Sequence, residues 1–204
     1  MRRSTLPLPA VLALLAAGCG PLVQVGTPQA PPAVLLVTTA APAPAVPAGR
    51  TPVDLARAVT VQQPLLPGPL QTLRIPVTVS ETEVQYVRDA TWAELPGRQF
   101  QRLVADTLAG RGVAVVDPRV SGRTAGRTLS GQLLLFGVDA RAAPVVRVRF
   151  DATLAGPDGL RQRRFERAEP LASVLPVPVA DALNRAANAV AADIAAWVEA
   201  SGAG

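Results

Sequence analysis

The sequence has no histidine, no lysine and one cysteine, Cys19. Zinc and most redox metals are held by histidine and thiolate, so a metal site here would need carboxylates alone. The sequence shows no such carboxylate cluster, and neither a metal nor any other cofactor is expected. A lone cysteine allows no internal disulfide, so cysteine usage by itself does not identify an oxidising compartment. Because lysine is missing, all 20 basic residues are arginine. With abundant Ala, Gly and Pro, that bias has the composition of a GC-rich genome. The net charge of +5 comes from arginines scattered among 15 acids. No dense basic run interleaved with aromatics occurs, so no nucleic-acid partner is expected. Aromatic residues make up only 3% of the chain, and a core must be filled by Val, Leu, Ile and Ala. No apolar run reaches the roughly 20 residues that span a bilayer.

Hydrophobic residues reach 49% of 204, enough for one folded domain with appended segments. Most of the 21 prolines precede residue 70, which separates a linker-rich beginning from a globular remainder. At the start, Arg2 and Arg3 form a positive region. The apolar stretch from Leu6 to Ala17, broken by Pro7 and Pro9, is too short to cross a membrane and has the pattern of a secretory signal peptide. Removal of that segment brings the charge nearer +3. It ends in Leu15-Ala16-Ala17-Gly18-Cys19, which resembles the lipobox of bacterial lipoproteins. That resemblance implies cleavage between Gly18 and Cys19 and acylation of the Cys19 thiol and amino group. The Leu usual three residues before the cysteine is here Ala16, with Leu15 one position earlier. An ordinary signal peptide cut near Ala17 is the bland alternative. The lone cysteine at the one place the motif needs it favours the lipobox. Each buried CH₂ contributes about 0.8 kcal/mol, so several acyl chains on one residue hold far more firmly than one. By analogy with enterobacterial sorting, where Asp after the cysteine resembles an inner-membrane retention signal, Gly20 favours the outer membrane.

The expected organisation is a signal peptide over residues 1–18, the lipidated cysteine with a tether over 19–32, a domain over 33–200, and a disordered tail over 201–204. Extended, the tether reaches roughly 40 Å. Residues 33–39 are apolar and β-branched and predict a buried strand. Residues 41–70 form a Pro-rich loop in which 58–62 resemble a short strand. Residues 73–79 alternate in polarity, with Pro76 demanding an edge or a bulge, and 84–88 are the expected partner. Pro96 opens a helix with Phe100, Leu103, Val104, Thr107 and Leu108 on one face, ending at Gly110 and Gly112. Strands are expected over 113–116, 129–139 and 145–154. In the last, Val146, Val148, Phe150, Ala152 and Leu154 point one way. A turn at 156–159 leads into a charged edge strand over 161–167. Residues 179–200 predict a core-facing helix with Leu183, Ala187, Val190, Ile194, Trp197 and Val198 on its apolar stripe.

Catalysis has few candidates. Ser80, Ser121, Ser130 and Ser173 stand in no Gly-x-Ser-x-Gly context. Glu81 and Glu83 lie in the turn-like polar stretch 80–83 and are read as solvated surface charge. The chain is therefore read as non-enzymatic. Tyr86, Trp92 and the pair Arg147/Arg149 are the candidate partner or lipid interface. Against each stands a plain alternative: a core or half-buried turn residue for the aromatics, and a solvated strand face for the arginines.

Residues 72–95 carry a strand, Tyr86, then Trp92-Ala93-Glu94 before the first helix. With Gly112-Val113 and an Ala-rich last helix ending near Trp197, this order resembles the auxiliary lipoproteins of ABC-type lipid transport systems of the Mla/Pqi kind, over about 33–198. The family often continues Pro-Leu where this chain has Leu95-Pro96. The resemblance implies an α+β fold, an antiparallel sheet packed by two helices, somewhat like the N-terminal domain of the Tol-system β-propeller protein. It also implies a non-catalytic, periplasm-facing component beside an ATPase, a permease and an MCE-type substrate-binding subunit. Direct phospholipid binding and homo-oligomerisation stay open. The alternative is a structural envelope lipoprotein that docks other periplasmic proteins and has no part in transport.

Overall fold

The computed structural model describes residues 32–42 and 52–202. Gly18, Cys19, the signal peptide, the tether before residue 32, residues 43–51 and residues 203–204 lie outside the described residues.

Among the described residues, seven strands form one open sheet. They are β1 (Ala33–Leu35), β2 (Val59–Val61), β3 (Arg74–Thr78), β4 (Val84–Trp92), β5 (Arg127–Asp139), β6 (Val145–Gly156) and β7 (Gly159–Pro170). The helices are α1 (Pro96–Gly110), the single turn α2 (Pro118–Ser121) and α3 (Pro176–Ala200). Each opens on proline, whose missing N–H costs nothing at a helix start. The strand order is β1-β4-β3-β5-β6-β7, with β2 also beside β5. The fold is α+β, as the sequence implies, but the sheet is mixed rather than wholly antiparallel. β3–β4, β5–β6 and β6–β7 are antiparallel, while β1–β4, β2–β5 and β3–β5 are parallel. Two of the three parallel pairs lie along the long strand β5. Its 13 residues give one edge to two short strands in succession, β2 beside Arg127–Leu129 and β3 beside Val138–Asp139. Leu65 bridges Gln132 between them.

Strand alternation and helix periodicity predict the core well. Val146, Val148, Phe150, Ala152 and Leu154 of β6 are all buried, as are the five expected residues of α1. Helices α1 and α3 cover this one face. The few aromatics cluster here: Trp92 lies 5.2 Å from Phe136, and Phe100 lies 6.3 Å from Phe136 and 5.1 Å from Phe150. On α3, Ala182, Ala186, Ala187, Ala191 and Ala195 are buried, and their small side chains let the helix approach closely.

Two expectations change in detail, and the third, an edge or a bulge at Pro76, resolves to the bulge. Strand β1 ends at Leu35, and the chain continues as a strap held by side-chain amides. Val37 N donates to Gln99 Oε1 (2.8 Å), Thr38 N to Asn184 Oδ1 (3.0 Å) and Ala40 N to Asn188 Oδ1 (2.7 Å). Residues 113–116 make one bridge, Val115 to Val59, and no strand, because Asp117 caps α2 immediately afterwards through Arg119 N. Pro76 sits between two strands, and a bulge accommodates it. Pairing jumps from Arg74–Thr91 to Pro76–Tyr86, and Asp89, in the bulged stretch, takes φ 53°.

Candidate functional site: the uncovered face of the sheet

The face of the sheet opposite the helices carries the polar residues of each strand. Registers place Tyr86 (β4), Pro76 (β3), Gly137 (β5) and Arg147 (β6) in one row. At about 4.8 Å per strand, Tyr86 and Arg147 stand roughly 14 Å apart on the same face. Tyr86 is half-buried, with the Arg74 guanidinium 4.0 Å above its ring centre.

Trp92 goes the other way. Its indole is 2% exposed and stacks in the core against Phe136, so it offers no surface to a partner. Among the described residues its buried Nε1 has no hydrogen-bond acceptor.

Arg147 and Arg149 alternate outward along β6 and meet the acids of neighbouring strands. Arg149 forms a two-pronged pair with Glu166 on β7, at 2.9 and 3.1 Å. Arg147 reaches the same carboxylate at 3.2 Å, and its Nε lies 3.1 Å from Asp139, close enough for an ion pair but not aligned for a hydrogen bond. Asp139 in turn accepts two bonds from Arg141, at 2.9 and 2.7 Å, and Arg141 reaches Glu81 at 2.6 Å. The result is a ladder, Glu81–Arg141–Asp139–Arg147–Glu166–Arg149. Hydrogen bonding from Arg141, helped by the nearby Arg147 charge, pulls the Asp139 carboxyl down to about 2. Hydrogen bonding from Arg149 lowers that of Glu166, and Arg164 lowers that of Asp151. Three cations face three anions, so the ladder carries no spare charge. An anionic ligand would have to displace Asp139 or Glu166 from its arginines. Sequence reasoning selected the two arginines but not the acids, which lie far from them in sequence.

Beside the ladder is a groove of about 350 Å³, with Pro67, Pro69, Leu70 and Val84 on its apolar side. A bulge in β5 builds its floor. Leu133 pairs with Phe150 and Leu135 with Arg149, so Leu134 is an extra residue and consecutive leucines reach the uncovered side. Further along the face lies a wider polar depression of about 730 Å³, lined by Gln62, Gln63, Gln132 and Gln162 among others. Among the described residues no group of three or more acidic, histidine or cysteine side chains could hold a metal, and no helix is long and apolar enough to cross a membrane.

The pattern of strands, strap and helices has counterparts. A family model described as the ABC-type transport auxiliary lipoprotein component matches residues 36–195. The chain belongs to this family. Membership makes it an auxiliary component of ABC-type transport, in a family described as lipoproteins. A crystal structure of a Xanthomonas campestris protein of the DUF330 family is similar to it, with TM-score 0.62 and 20% identity, covering 84% of this chain and 94% of that one. A second crystal structure, of an uncharacterized protein, gives TM-score 0.60 at 16% identity, covering 70% and 92%. At these identities the likeness shows the fold. No curated protein matches the chain.

Proposed function

We propose that this auxiliary lipoprotein component is anchored by acylation of Cys19 after cleavage at Gly18–Cys19, faces the periplasm, and serves a lipid-transporting ABC system of the Mla/Pqi kind without catalysing a reaction. The observation that carries the reading is the family match over residues 36–195, downstream of a lipobox-like segment that holds the one cysteine of the chain. Residues 20–32 act as the tether, and Gly20 favours the outer membrane. The domain docks an MCE-type substrate-binding subunit, and through it the permease and ATPase. Partner contact belongs on the uncovered sheet face, where Tyr86, Arg147 and Arg149 lie, and not at Trp92.

Two measurements test this. Mass spectrometry of the mature N-terminus should find Cys19 acylated, and Cys19→Ala should release the protein from membranes; an unmodified thiol defeats the anchor. Purification of the native protein in mild detergent should bring down the transporter subunits. Their absence, with unchanged lipid distribution on deletion, defeats the transport role and favours a purely structural envelope lipoprotein.

A further inference from the structure

The uncovered face changes chemistry along its length. One half holds the arginine–acid ladder, and the other holds the depression of about 730 Å³ with Gln62, Gln63, Gln132 and Gln162 in its lining. That volume lies within the range of about 300–1,000 Å³ typical of ligand sites. All four glutamines are exposed. Among the described residues the side-chain amides of Gln62, Gln63 and Gln132 make no hydrogen bond, and Gln162 makes one, a long bond of 3.2 Å to Thr153 Oγ1. The other described glutamines behave differently. Gln71, Gln85, Gln99 and Gln101 each donate to an oxygen of the protein, at 2.9, 2.8, 2.8 and 2.7 Å. The amides left unengaged are therefore the ones gathered in the depression.

These groups are arranged in rows that cross the strands. Ser130 of β5 pairs with Thr153 of β6, which pairs with Gln162 of β7. Gln62 follows β2, and its N–H bonds to the Leu129 carbonyl at 2.8 Å, which sets it beside Ser130. The row Gln62–Ser130–Thr153–Gln162 takes three steps of about 4.8 Å. The next row is Gln132–Asp151–Arg164. Its Asp151 is closed by two bonds from Arg164, at 2.7 and 2.6 Å, so this ion pair offers a ligand neither sign of charge. Arg163, also at the margin, lies over the Phe165 ring at 5.1 Å. Leu65, 69% exposed, adds one apolar surface at the rim.

A primary amide offers two donors and an acceptor, and a hydroxyl offers both. The complement is a neutral ligand rich in groups that both donate and accept. An anion finds no free cation here, and an acyl chain finds one leucine. An extended peptide adds to a sheet edge rather than lying across strands. A β-linked sugar chain advances per residue by nearly the strand spacing, so it can present one sugar to each strand. We propose that this depression binds a neutral, N-acetylated, β-linked glycan laid across β5, β6 and β7, with its hydroxyl and acetamido groups on Gln62, Gln132 and Gln162 and a ring face on Leu65. The cell wall and a soluble saccharide are two sources of this chemistry. The site needs neither the acyl anchor nor a transporter.

The test is NMR titration of the full chain with chitotetraose, in a detergent whose head group is not a sugar. The side-chain amide signals of Gln62, Gln132 and Gln162 should move together and saturate, while that of Gln85 stays in place. Gln132→Ala and Gln162→Ala should each weaken binding about fivefold or more with unchanged melting temperature, and Gln85→Ala should do neither. If either variant fails to fold, Gln62→Ala, which lies outside the strands, takes its place. Polygalacturonate, an acidic glycan, should not compete. Co-sedimentation with isolated cell-wall sacculi that is lost in Gln132→Ala assigns the cell wall as the source. Saturable binding of chitotetraose without sacculus binding assigns a soluble saccharide. Binding of neither overturns the proposal, as does binding that survives both alanine variants or an acidic glycan that competes equally well.

Discussion

Gly137 lies against Pro76 so closely that a Cβ on Gly137 would stand 2.5 Å from the Pro76 carbonyl oxygen and 2.8 Å from its ring Cγ. Both neighbours are stiff: one is backbone, the other a closed ring. Proline is tolerated in the interior strand β3 because the bulge at 74–76 relieves the ladder and because the adjacent strand offers a residue without a side chain. Gly137→Ala should therefore separate β3 from β5 and destabilise the domain by at least about 2 kcal/mol. Urea unfolding of the two proteins would check this. An alanine variant as stable as the wild type would mean the strands can part without cost.

The strap after β1 depends on one buried amide. Gln99 is 1% exposed; its Oε1 accepts from Val37 N, and its Nε2 donates to the Glu94 carbonyl at 2.8 Å. Gln99→Leu keeps the volume but leaves that N–H and that C=O unpaired. The expected loss is about 1–3 kcal/mol, with faster amide exchange confined to residues 37–40. Asn188→Ala, whose partners Thr38 and Ala40 are exposed, should cost less.

Acid should loosen the ladder first. Asp139 titrates at about 2 in the folded protein against 3.8 as its ordinary value. Because the folded value is the lower one, its contribution is complete above about pH 4 and is lost as pH falls toward 2. Glu166 and Asp151 shift in the same direction. Asp139→Asn should lower stability at pH 7 and flatten its decline between pH 4 and 2. Thermal melts across that interval would show it, and an unchanged slope would mean that Asp139 is not held by Arg141.

Patterns with a short repeat were legible in the sequence. The alternation of β6, the stripe on α1 and the Ala-rich face of α3 are local, and each predicts its buried side. The partners of Arg147 and Arg149 were not, because Asp139 and Glu166 reach them through strand registers that no periodicity encodes. Leu134 and Leu135 look like core in a run of three leucines; only the bulge turns both toward the uncovered face. The mixed sheet was hidden for a related reason, since nothing local tells that β2 and β3 share one edge of β5. Cys19 has the opposite character, being a motif read from sequence that lies outside the described residues.

Trp92 separates a family motif from a surface. Sequence alone leaves open whether the Trp-Ala-Glu segment meets a partner, and the indole lies in the core against Phe136. Trp92→Ala should then cost about 3–5 kcal/mol, as other large aromatic truncations do. Trp92→Phe should cost less than about 1.5 kcal/mol, because it keeps a ring in the stack and removes an N–H that is buried without an acceptor among the described residues. A partner contact would reverse this order of effects: the phenylalanine variant would melt like the wild type yet lose its complex. Measuring melting temperature and co-purification on the same Trp92→Phe protein distinguishes the two, and retained co-purification with a small drop in stability is the outcome the buried stack requires.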